Sequence, residues 1–126
     1  MGYTRYWKRT DAKITEDFVA EVNEILEECA AHGITIRDGF GEGEPVVSLE
    51  KIWINGTDEN DLGHETFYLG NEPKEFDFCK TARKPYDYAV REILKVAELY
   101  GLVTNVRSDG ENNNIISDED WLNGKW

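Results

Sequence analysis

Between residues 16 and 32 the apolar positions recur at three- and four-residue steps. Phe18, Val22, Ile25 and Cys29 share one line, with Val19 and Leu26 beside them, while Glu21, Glu24, Glu27 and Glu28 take other faces. That period predicts a helix. Thr15 is placed to cap it, Glu16 and Asp17 sit at its positive end, Ile14 can staple to Val19, and Gly33 is the expected stop, for a span of about 15–32. Tyr86, Ala89, Val90, Ile93, Val96, Ala97 and Tyr100 form a second stripe. It predicts a helix over about 84–100, with Pro85 in its first turn and Gly101 ending it.

Other segments have shorter periods. Residues 3–8, 34–36, 46–54, 65–69, 75–78 and 102–106 are rich in β-formers or alternate, and polar or glycine-rich loops separate them. The predicted order is β-α-β-β-β-β-α-β. Consecutive strands with short links point to an α+β fold, in which an antiparallel or mixed sheet carries two long helices on one face. We expect one domain over 1–110 and a polar, Asn-rich tail over 111–126, with Trp121 and Trp126 as possible anchors.

Composition narrows the class. A chain of 126 residues with 40% hydrophobic and 32% charged residues is large enough to bury a core and too apolar for disorder. No apolar run approaches the ~20 residues of a membrane span, and the first ten residues lack the apolar segment of a secretory signal. Cys29 and Cys79 are too few for a disulfide framework and lack metal-site spacing. The expectation is a cytoplasmic protein with reduced thiols, no metal, no cofactor and no membrane partner.

Charge is uneven. The chain carries −12, and residues 14–77 alone hold three basic groups against 17 acids, a net of −14. General affinity for nucleic acid or anionic lipid is therefore disfavoured. Residues 78–86 reverse the sign: Phe78-Cys79-Lys80-Thr81-Ala82-Arg83-Lys84-Pro85-Tyr86 contains three cations and no acid. Cations at a helix start oppose the dipole, so something must compensate for them. A bound phosphate would use Lys80, Thr81, Arg83 and Lys84 together with free helix N–H groups. Internal salt bridges to Asp77, Asp87 or the acidic helix are the competing account. Cys79, beside these cations, is expected to have a lowered pKa.

In the first strand, Tyr3, Arg5 and Trp7 share one face, and Thr4 and Tyr6 the other. Aromatic rings mixed with arginine can stack a nucleobase and hold a phosphate, or simply complete the core. His64 follows Asp58, Glu59 and Asp61 and could act as a general base, or only hydrogen-bond within its loop. Asp58-x-Asn60 begins like a calcium loop, but Leu62 breaks the pattern. Gly39-x-Gly41-x-Gly43 lacks the Gly-Lys-Ser/Thr of a phosphate loop and reads as a hairpin or lid. Ser108, in the turn Ser108-Asp109-Gly110, could face a ligand.

Taken together, Gly2-Tyr3-Thr4-x-Tyr6-Trp7, Gly43-Glu44-Pro45, Asn55-Gly56, His64-Glu65-Thr66-Phe67, Phe76-Asp77-Phe78-Cys79-Lys80-Thr81-Ala82-Arg83-Lys84-Pro85-Tyr86-Asp87 and Ser108-Asp109-Gly110 resemble a family of small bacteriophage and bacterial proteins without an assigned activity. The chain departs from it at Arg5, where the family carries histidine, and in the Asn-rich tail. The resemblance implies a phage setting inside a bacterial host. By analogy, a small phage accessory protein can counter a host defence.

The expected activity is binding of a phosphorylated small molecule such as a signalling nucleotide, through Lys80, Thr81, Arg83, Lys84, Thr4, Tyr6, His64 and Ser108. One alternative is an acidic inhibitor that imitates nucleic acid and binds a host defence protein. Another is a hydrolase using His64.

Overall fold

Both long helices end in the same way. A computed structural model describes residues 3–109, and in it α1 spans Glu16–Ala31 and α2 spans Asp87–Leu99. After α1, Gly33 adopts φ +81 and the N–H of Ile34 reaches back to the Cys29 carbonyl at 2.9 Å. After α2, Gly101 adopts φ +74 and the N–H of Leu102 reaches the Ala97 carbonyl at 2.9 Å. The left-handed glycine satisfies the last carbonyls, and the apolar residue after it is buried in both cases. At its start α1 is capped as expected: the Thr15 hydroxyl accepts the Phe18 N–H at 3.2 Å.

Seven strands complete the fold: β1 (Thr4–Arg9), β2 (Ile36–Arg37), β3 (Val46–Val47), β4 (Ile52–Gly56), β5 (Phe67–Leu69), β6 (Lys74–Lys80) and β7 (Val103–Ser108). The α+β class holds, and every described strand pair is antiparallel. The strands fall into two sheets. One is three-stranded in the order β6-β1-β7, and in the other β4 pairs with β2, β3 and β5. The strand expected over 46–54 is a hairpin instead, so five strands separate the helices. Ser48 makes the turn: its hydroxyl accepts the N–H groups of Glu50 and Lys51, both at 3.2 Å.

The helices pack against each other, with Phe18 edge-on to Tyr100 at 5.9 Å between ring centres. Phe18, Val22 and Cys29 from α1 meet Ala89, Val90, Ile93, Leu94 and Ala97 from α2 in one core with Trp7, Ile52, Ile54 and Phe67. α2 also lies on β7, while α1 covers β2 and β3. The tail expected over 111–126, with Trp121 and Trp126, lies outside the described residues. No helix among the described residues is long and apolar enough to cross a membrane.

Val22 is fully buried at the centre of the helix pair. Val22→Asp should cost several kcal/mol, because it places an unpaired charge in that core. Denaturant unfolding measures this, and an unchanged midpoint would remove the α1 stripe from the core.

Candidate functional site

The basic segment after β6 does not enter a helix directly. α2 begins at Asp87, and Pro85 lies in the turn before it rather than in the first helical turn. Residues 81–86 form a tight connection in which Ala82 and Arg83 both take left-handed conformations, φ +54 and +57. Such residues cost on the order of 1 kcal/mol each and need local support. It comes from the Tyr3 carbonyl, which accepts the N–H groups of Thr81 and Ala82 at 2.9 and 3.1 Å, and from Lys84 N–H bonding to the Thr81 carbonyl at 3.0 Å.

Asp87 settles the dipole conflict at this helix start. Its carboxylate is fully buried at the positive end of α2. Arg5 from β1 grips both of its oxygens, Nε to Oδ1 at 2.7 Å and Nη2 to Oδ2 at 2.8 Å, and the Thr81 hydroxyl donates to Oδ1 at 2.7 Å. Thr81 was expected to offer its hydroxyl to a ligand. It is fully buried, and that hydroxyl is spent on Asp87. Arg5 is thus a buried ion-pair partner rather than a ligand group on an open surface.

The cations diverge. Lys84 pairs with Asp61 at 3.3 Å. Arg83 stacks on the Tyr3 ring at 4.3 Å, and Arg5 lies 5.3 Å from the same ring. Lys80 ends β6 on the exposed side, and among the described residues its ammonium has no ion-pair partner. Arg83 also has none, but it faces Tyr3, whose strand parity is that of Arg5 and Trp7, whereas Lys80 shares the parity of Phe76 and Phe78. The two cations without an ion pair among the described residues therefore do not converge.

His64 is exposed and held by its main chain: its N–H donates to Asn55 Oδ1 at 3.1 Å, and its carbonyl accepts Asn55 Nδ2 at 2.9 Å. With Phe40, Asn55, Asp58 and Asp61 it lines a cavity of about 220 Å³. The glycine-rich loop beside it is closed rather than lid-like. Asp38 Oδ1 accepts the N–H groups of Phe40 and Glu42 at 2.9 and 3.3 Å. Ser108 accepts the Tyr3 hydroxyl at 2.9 Å.

Cys79 corrects a further expectation. It is completely buried, and its thiol is pushed up to about 12 by desolvation, with the Glu65 charge adding to the effect. Burial outweighs the neighbouring cations, which point elsewhere, and favours the protonated thiol.

Alternation along β1 and β6 creates a different surface. Arg5, Trp7 and Arg9 are buried on one side of β1, and alternation places Thr4, Tyr6 and Lys8 on the opposite face of the β6-β1-β7 sheet, where Thr4 is itself buried and Tyr6 and Lys8 are half-buried. Tyr6 lies across from Phe78 on β6 and Arg107 on β7, and Thr4 lies across from Lys80. The Tyr6 and Phe76 rings are 5.9 Å apart, and those of Phe76 and Phe78 are 5.8 Å apart. The Arg107 guanidinium sits 5.3 Å from the Tyr6 ring. Phe76 is 53% exposed and Phe78 42%, so the group is an open apolar patch rather than core. Asp109 orients it: its carboxylate accepts the Tyr6 hydroxyl at 2.7 Å and the Thr4 N–H at 3.1 Å, which raises the Tyr6 pKa.

Thr4, Tyr6 and Lys80, three of the residues singled out from sequence, thus meet on one face, whereas Thr81, Arg83, Lys84 and His64 lie off it. Phe76, Phe78, Lys8 and Arg107 were not singled out, although the aromatic pair at i, i+2 in a predicted strand is a legible signal for a shared face. Comparison with protein-family models, curated proteins and solved structures finds no match for the chain.

Two measurements test this geometry. Asp87→Ala should destabilise by about 3–5 kcal/mol, since it leaves Arg5 buried without its counter-charge; a change below about 1 kcal/mol in urea unfolding would contradict the ion-pair account. Cys29 and Cys79 both have thiols pushed up to about 12 by burial, from an ordinary value of 9.0. The folded state holds these protons more tightly than the unfolded chain, so this contribution to stability is complete below pH 9.0 and is lost as pH rises toward about 12. Native protein at pH 8 should resist a thiol-specific reagent, with both cysteines reacting only after denaturation.

Proposed function

We propose that this protein is a binding module for a small phosphorylated ligand carrying an aromatic ring, a nucleotide, and that the ligand lies on the exposed face of the β6-β1-β7 sheet. The observation that carries this reading is the row of Tyr6, Phe76 and Phe78, with Lys80 at one end and Arg107 at its flank. A nucleobase stacks on such rings, at about 1–3 kcal/mol per base. A phosphate is drawn to Lys80, whose exposed ammonium makes no ion pair among the described residues, although its main-chain N–H donates to the Glu65 carboxylate at 2.9 Å. The ligand class is the one expected from the basic segment, and its place moves from the helix start to the sheet. Stacking and charge supply affinity without bond-making, so the activity is binding. Sequestration of a signalling nucleotide is a use that such a module would serve.

Isothermal titration with adenosine monophosphate and diphosphate at low salt tests the reading. Phe78→Ala should lower affinity at least five-fold, about 1 kcal/mol, and Phe78→Tyr should preserve it. Because Phe78 is partly exposed, stability should fall by only about 1 kcal/mol. Lys80→Ala should weaken binding more at 50 mM than at 500 mM salt, where screening has already removed much of its effect. Affinity indifferent to both positions would contradict the proposal.

A further inference from the structure

The exposed face is longer than one nucleotide. Lys80 lies across from Thr4 at one end of the face, and Lys8 stands four residues further along β1 at the other, about 13 Å at the rise of an extended strand; past the register shift between Trp7 and Arg9, Lys74 lies across from the inward Arg9. Between Lys80 and Lys8 lie three rings on two adjacent strands. Beyond the rings, Lys8, Thr10, Pro73, Lys74, Glu75 and Thr104 line a cavity of about 630 Å³. A mononucleotide has one base and one phosphate group, so it can occupy one ring and one end.

Most acids near the face are engaged, with Glu65 accepting the Lys80 main-chain N–H at 2.9 Å, while Asp11 lines the cavity without an ion pair among the described residues. Glu75 pairs with Lys8 at 3.1 Å, Asp77 lies 3.8 Å from Lys74, and Asp109 holds Tyr6 and Thr4. The Lys8 pair involves a half-exposed lysine and is worth little, so a phosphate can replace the carboxylate as partner. Lys80 and Arg107 carry no ion pair among the described residues, and much of the chain's acidity lies on α1 and in residues 38–61.

We infer that this face takes a short segment of unpaired nucleic-acid strand, about three to four nucleotides long. Successive bases stack on Phe78, Phe76 and Tyr6, and phosphates are held by Lys80 at one end, by Arg107 at the flank and by Lys8 at the other. The inference rests on the nucleotide reading above and adds the length and polymeric nature of the ligand. An open antiparallel sheet with rings on neighbouring strands suits splayed single-stranded bases, because every base has a face to stack. A duplex hides those faces. The chain-wide charge of −12 opposes any long polyanion, which limits the proposal to a short contact.

Fluorescence anisotropy of the full chain with labelled oligothymidylates and oligouridylates of two, four and six nucleotides, alongside thymidine and uridine monophosphates as competitors, tests the inference. Affinity should rise at least ten-fold from two to four nucleotides and level off by six. For three phosphate contacts, the slope of log affinity against log salt should be about −2. Phe76→Ala and Phe78→Ala should each weaken the four-nucleotide complex five-fold or more, Phe78→Tyr should restore it, and Lys95→Ala on α2 should leave it unchanged. Either sugar supports the inference, and the tighter one identifies the strand.

Monophosphates that bind as tightly as the hexamers would overturn the strand and leave the nucleotide reading standing. No binding by either would overturn both. A concentration-dependent dimer that Phe76→Ala abolishes would assign the face to a second copy of the chain and overturn the inference.

Discussion

The buried contact between Arg5 and Asp87 fixes the rest of the arrangement. Two charges removed from water repay their desolvation only with full pairing, and here the carboxylate accepts two guanidinium N–H bonds and one hydroxyl. One partner belongs to β1 and the other to the first turn of α2, so the pair locks the helix start to the sheet. It also sets the phase of β1. With Arg5, Trp7 and Arg9 directed inward, Thr4, Tyr6 and Lys8 have only the outer face left. The exposed rings are thus the consequence of a decision made on the other side of the strand.

The same contact gives the connection before α2 its shape. Two successive left-handed residues, neither of them glycine, persist because Tyr3 and Thr81 hold their backbone and Asp87 holds Thr81. The basic residues that precede α2 are consequently spread over two faces. Arg83 covers Tyr3, Lys84 reaches Asp61, and Lys80 alone of the three joins the aromatic row.

Much of the fold was legible from the chain. The helix stripes, the Thr15 cap and the glycine stops at 33 and 101 are local signals, and local hydrogen bonds decide them. The 46–54 strand was misread because apolar residues flank Ser48-Leu49-Glu50-Lys51, and the turn depends on one serine hydroxyl. The site was half legible. Thr4, Tyr6 and Lys80 could be picked by residue type, but the partner of Asp87 lies 82 positions away, and no local pattern announces it. That distant pairing decided that Thr81 is structural. Phe76 and Phe78 were passed over because a predicted strand does not say which face the fold leaves open.

The central claim is that the open face of β6-β1-β7 is the ligand surface. Proton NMR of the aromatic rings during titration with adenosine monophosphate measures it most directly, because a stacked base shifts the rings it covers. The account predicts saturable shifts of the Phe76, Phe78 and Tyr6 ring signals, with little change at the buried rings of Phe18 and Phe67. Saturable shifts at His64 and Phe40, with the three face rings unmoved, would contradict it.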